Sequence, residues 1–217
     1  MHTIFSYNLD NEISFDEKNK PLSLRTGTYT AMNGVIYNMA LTSDRQRLID
    51  ENLVFWINSL VNVVKKLVSS ALVAPGFFSP AAVLGADPRV IRTYWAIAPA
   101  SKGGSNANFI DLHAYYDTTP LSTYFNAFEI NSYEKPLILG EFGSYSSKFS
   151  SVNVAALGAR DEQVLTCKNY GFSGWLYWTY DTFEGNNTGN IIYTMMQNGG
   201  VVNGILAPIT RPNPCIN

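Results

Sequence analysis

The segment Pro136-Leu137-Ile138-Leu139-Gly140-Glu141-Phe142-Gly143 runs three aliphatic side chains straight into a carboxylate held between two glycines. An apolar run this short, stopped by glycine, reads as a strand buried on both faces, which is the habit of parallel sheets covered by helices. Glu141 at its end is poorly explained by capping, because a residue that caps a following helix is more often Asp or Ser. It reads as a group kept for chemistry.

Working outward, four further runs have the same form: Thr3 to Leu9, Ala71 to Phe77, Phe109 to Ala114 and Gly174 to Trp178. Each gives way to polar or Gly/Pro punctuation and then to a helical pattern, so the chain reads as βα units around a parallel sheet, an α/β fold. The strongest helix starts at Ser43, which is placed to cap it. Asp44 suits its positive end, and Leu48, Ile49, Leu53, Trp56, Ile57, Leu60, Val64 and Leu67 recur at helical spacing. Weaker helical patterns cover Pro88 to Ala96, Leu121 to Phe128, Ala156 to Tyr170 with Gly171 as C-cap, and Ile191 to Gln197. Asn11 to Asn38 shows no period and reads as a long loop, a kind that commonly serves as a lid or binding segment.

Composition narrows the function classes. The 217 residues suit one domain, and 15 Lys and Arg against 17 Asp and Glu, with no basic block, give no electrostatic basis for binding nucleic acid or anionic lipid. Two cysteines, Cys167 and Cys215, are too few for a disulfide framework or a thiolate metal cluster; one bridge or two thiols remain open. With His2 and His113 the only histidines, no His-rich metal site is expected. No Gly-rich phosphate loop is present either, so no cofactor is expected. The first residues carry no signal-peptide pattern, and no apolar run is long enough to span a membrane.

Polar and aromatic residues gather where the strands end: Asn11-Glu12, then Asp111, His113 and Tyr115, then Glu141, then Trp178-Thr179-Tyr180-Asp181. In a closed parallel barrel all such ends open on one face. Two carboxyl groups there suit glycoside hydrolysis, in which one protonates the leaving oxygen and the other attacks or activates water. Aromatic rings suit the apolar face of a sugar, and Asn and His suit its hydroxyls. Asp111 has no assigned role, Asp181 and Glu184 fall where an outer sugar subsite would be, and Trp175 reads as packing toward the helix layer.

At these residues the chain resembles the retaining glycoside hydrolases of the (β/α)8 barrel, most nearly the family 5, cellulase-like members. Tyr7-Asn8-Leu9-Asp10-Asn11-Glu12 is similar to the Asn-Glu motif closing their fourth strand, and Ile110-Asp111-Leu112-His113-Ala114-Tyr115 to the His-x-Tyr of the sixth. Pro136 to Gly143 resembles the nucleophile strand, the seventh, and Gly174-Trp175-Leu176-Tyr177-Trp178-Thr179-Tyr180-Asp181 the eighth. The resemblance implies that Glu12 is the acid/base, Glu141 the nucleophile, and Asn11 the holder of the 2-hydroxyl. It implies that Tyr115 orients the nucleophile, that His113 contacts the sugar or the acid, and that Trp178 forms the platform under the reacting ring. A carbohydrate is then the partner, with no metal or cofactor, and the parent protein is expected to be secreted.

Two departures accompany the match. Asn11-Glu12-Ile13 stands where the family has Asn-Glu-Pro, and the match begins only at the fourth strand. The expected architecture is therefore a partial (β/α)8 TIM barrel, about five C-terminal βα units with three N-terminal ones missing, since a whole barrel takes about 250 residues. Open edges and an uncovered apolar face predict self-association. The rival to hydrolysis is an inactive or weakly carbohydrate-binding barrel fragment.

Overall fold

The structure, a computed structural model, describes residues 4–78, 89–90, 104–115, 135–185, 189–207 and 214–215. The chain forms two compact units, Met1–Ile110 with Phe125–Lys135, and Asp111–Tyr124 with Pro136–Asn217.

In the first unit β1 (Tyr7–Asn8) pairs in parallel with β5 (Val73–Ala74), Tyr7 opposite Val73. The expected strand from Ala71 to Phe77 is interrupted at Pro75, which has no N–H to give a ladder, and resumes as β6 (Gly76–Phe77). Between β1 and β5 lies α1 (Thr42–Leu67), which buries Leu48, Ile49, Leu53 and Ile57 of the expected stripe together with Val61, while Trp56, Leu60 and Val64 are half-buried and Leu67 is exposed. Ser43 does not cap it: the N-cap is Leu41, with no side-chain cap. Asp44 instead accepts the Asn38 N–H at 2.9 Å, tying the first turn to the segment before it.

Residues 11–38 are not a structureless loop. They hold β2 (Phe15–Asp16) and a hairpin of β3 (Thr28–Thr30) and β4 (Ile36–Asn38), with Tyr29 opposite Tyr37. Strands of two or three residues are too short to show a period; the legible signal was Asn33-Gly34, where Gly34 takes φ 80° in the turn. The hairpin closes a core in which Leu22, Tyr37 and Met39 meet Leu48 and Ile49 of α1, and Tyr37 Oη donates to Glu51 Oε2 at 2.7 Å. The helix expected from Pro88 fails at its start, because Arg89 and Val90 form β7 (Arg89–Val90), antiparallel to β2. The rest of that segment, and Leu121 to Phe128, lie outside the described residues.

In the second unit β8 (Ile110–His113), β9 (Leu137–Phe142) and β10 (Gly174–Tyr177) lie in that order with parallel pairing. The register shifts between Trp175 and Tyr177. A crossover helix, α2 (Val152–Tyr170), joins β9 to β10. Ser151 Oγ caps it by accepting the Val154 N–H, and Gly171 ends it at φ 68°, as its C-cap role in the sequence implied. The helix expected over Ile191 to Gln197 is absent: Ile191 and Ile192 bridge to Gly185 and Tyr145, so their backbone groups are consumed by loop pairing. The helix there is α3 (Gln197–Leu206), entered through left-handed Asn198, Gly199 and Gly200. Gln163 of α2 donates to Leu206 O at 3.2 Å, and a disulfide joins Cys167 to Cys215, which resolves the open alternative for the cysteines.

The fold is thus mixed α/β with parallel strand pairing. No closed barrel is present among the described residues.

Candidate functional site

The parallel strands of the second unit end level with one another. Just past β8 the Ala114 N–H reaches Glu141 O at 2.9 Å, and just past β10 the Trp178 N–H reaches Phe142 O at 2.8 Å. Side chains at these ends are therefore brought within reach across neighbouring strands.

Glu141 is the centre of what results. Tyr115 Oη donates to its Oε2 at 2.8 Å, and His113 Nδ1 lies 3.4 Å from the same oxygen. The other ring nitrogen, His113 Nε2, lies 3.8 Å from Asp111 Oδ1. All four groups are buried: His113 is 1 % exposed, Tyr115 6 %, and Asp111 and Glu141 8 % each. In such a site, hydrogen bonds to a carboxylate are stronger than in water and fix its direction. The Tyr115 ring is itself held against Tyr145, centroids 5.6 Å apart. Asp111 and Glu141 approach opposite nitrogens of one imidazole.

The glycines beside Glu141 make room for this arrangement. A Cβ at Gly140 would run into Asp111 Oδ1, and one at Gly143 would meet Trp178 O at 2.5 Å and Tyr115 Cε1 at 3.2 Å. In the sequence Asp111 carries no assigned role and the glycines read as punctuation. The available signal was the two-residue spacing of Asp111 and His113, which puts both on one face of a strand.

Trp178 is 37 % exposed, and its Nε1 donates to Glu184 Oε2 at 3.0 Å. Trp175 packs edge-on to the buried Phe142 ring, 6.0 Å between centroids. Asn11 and Glu12 belong to the first unit, in the bend after β1, Asn11 exposed and Glu12 half-buried. Their segment is held on both sides by β6: the Gly76 N–H reaches Asp10 O at 2.9 Å, and the Ile13 N–H reaches Gly76 O at 3.1 Å. The second unit thus brings together His113, Tyr115 and Glu141 and adds Asp111.

Two buried titratable groups lie apart from these residues. Burial raises the Glu162 carboxyl of α2 well above its ordinary range, and its Oε1 has no hydrogen-bond partner among the described residues. In the first unit, burial lowers the Lys135 amine to about 8, and its Nζ donates to Ser105 O at 2.9 Å.

Comparison with known proteins returns no matching family model, no matching curated protein and no matching solved structure.

Proposed function

We propose that the chain belongs to a retaining β-glycoside hydrolase of the cellulase-like kind, acting on a β-linked glucan, mannan or related glycoside. The observation that carries the reading is the Tyr115 hydrogen bond to Glu141 Oε2 at 2.8 Å, with His113 beside the same oxygen, at the end of a parallel strand. A nucleophilic carboxylate must be ionised and aimed at the anomeric carbon. A phenol donating to one oxygen aims it, and close packing against Tyr145 holds the phenol.

In the first step Glu141 forms the bond to the anomeric carbon as the bond to the leaving oxygen breaks and that oxygen takes a proton from an acid; in the second, water attacks the anomeric carbon, giving its proton to the conjugate base of that acid, and Glu141 leaves as a carboxylate. Sequence order alone assigns the acid/base role to Glu12 and the 2-hydroxyl contact to Asn11. The exposed Trp178 ring suits the apolar face of the sugar. Neither a metal nor a cofactor takes part in this scheme.

The test is hydrolysis of aryl β-glucosides, aryl β-mannosides and soluble β-glucan, with the anomer released followed by NMR. Glu141→Gln is expected to keep the fold and lose turnover, and more than a few per cent of residual activity sinks the assignment. The pH profile is expected to be bell-shaped, set by a pair of coupled carboxyl groups, and a flat profile opposes it.

The exposure of Trp178 also favours a second reading, an inactive fragment that binds carbohydrate weakly. Quenching of Trp fluorescence by oligosaccharide without hydrolysis selects it.

A further inference from the structure

Between β2, the hairpin and α1, the first unit forms an open cleft of about 320 Å³ that the sugar chemistry does not use. Its floor is Leu22, Leu48 and Ile49, all buried, and its walls include the half-buried rings of Phe15 and Tyr29. Packing alone does not account for it, since Met32 stands 86 % exposed at the lining rather than folded into the space. Long segments between a strand and a helix are where binding groups concentrate.

We propose that this cavity binds a small ring-bearing molecule with one anionic group, of the class of the aromatic carboxylates. The volume lies at the small end of ligand sites, which limits the occupant to about one or two rings. An aliphatic floor between two aromatic walls suits a flat apolar body. The charge follows from how the lining spends its polar groups. Asp16 accepts from Lys18 N at 2.8 Å and from Asn19 Nδ2 at 3.1 Å, so both its oxygens are engaged within its own turn. Lys20 is the only cation in the lining and makes no ion pair among the described residues. The charged group of the lining that has no partner among the described residues is the Lys20 ammonium. This inference is independent of the hydrolase reading, and its failure leaves that reading where it stands.

Calorimetric titration of the full chain with 2-naphthoate, and with the uncharged 2-naphthamide, tests it. The acid is expected to bind saturably and more tightly than the amide. Lys20→Ala, at an exposed position that leaves the fold intact, is expected to weaken the acid about two- to fivefold, the measure of one exposed charge pair, and to leave the amide unchanged. Ala31→Phe, which fills the cavity, is expected to abolish binding of both. Absence of saturable binding overturns the site, as does full binding by a folded Ala31→Phe protein. Equal affinity for acid and amide, or indifference of the acid to Lys20→Ala, overturns the ligand class.

Discussion

Gly140 has no side chain because Asp111 occupies the place where one would go, and Asp111 in turn stands beside the ring that faces Glu141. A methyl group at Gly140 must displace a buried carboxylate. We therefore predict that Gly140→Ala lowers stability by about 1–3 kcal/mol, the usual cost of overpacking, and also lowers any turnover. An unchanged thermal melt argues that Asp111 moves aside freely. The Tyr115 hydrogen bond allows a sharper prediction. Tyr115→Phe leaves a buried carboxylate oxygen without its phenolic donor, and hydrogen bonds to charged groups are worth about 1.5–3 kcal/mol. If Glu141 is the nucleophile, kcat/KM falls roughly 10- to 150-fold beside the loss of stability. A loss confined to stability removes Tyr115 from the chemistry. Glu141, His113 and Tyr115 were legible in the sequence, because a polar group closing an apolar strand has few structural reasons to be there. Asp111 was not, since an Asp in a strand reads equally well as a cap. Gly140 was not, because its constraint comes from a neighbouring strand remote in sequence.

At the scale of elements, two buried titratable groups give stability opposite dependences on pH. Glu162 lies on the buried face of α2, and burial holds its carboxyl protonated well above its ordinary range. A group whose folded pKa is raised contributes stability that is full below the unfolded value, near 4.5, and is lost as pH rises through the folded one. The second unit is thus expected to weaken as pH climbs above 4.5, by at most about 1.4 kcal/mol per pH unit. Glu162→Gln, which cannot ionise, is expected to flatten that slope in denaturant melts between acid and alkaline buffers; an identical slope in the variant removes Glu162 as its source. Lys135 has the reverse sign. Its folded pKa of about 8 lies below the ordinary 10.5, so stability rises with pH across that window. Lys135→Met is expected to abolish this rise, and a persistent rise assigns it elsewhere. The same scale shows what pattern reading detects. Long periodic elements such as α1 and α2 were legible to within a few residues at their ends. The hairpin of β3 and β4 was not, because such short strands leave only their turn residues as a signal. The apolar residues from Ile191 mimicked a helix, although the Ile192 and Tyr193 N–H groups go to Glu184 O and Ser144 O instead.

For the whole molecule, alternation of strand and helix makes the α/β class legible, but closure of a barrel is a matter of which edges meet, and local pattern carries no record of that. The question becomes what happens at an edge. Among the described residues β10 pairs only with β9, so its far side presents backbone donors and acceptors. Leu176 in that strand is 58 % exposed, and the chain just beyond exposes Tyr180 at 62 % and Phe183 at 72 %. A bare parallel edge beside exposed apolar groups is a template for pairing with another chain, and natural sheets usually blunt such edges with charge. We predict that the purified chain associates through β10 in a concentration-dependent way. Leu176→Lys places a charge in the middle of that strand at a position already exposed, so it is expected to shift sedimentation toward the monomer without lowering the melting temperature. Two results count against the edge: a wild-type chain that sediments as a monomer at every concentration, or association that Leu176→Lys leaves untouched. The second points to Tyr180 and Phe183, where a double change to Ser tests whether apolar contact, and not strand pairing, holds the copies together.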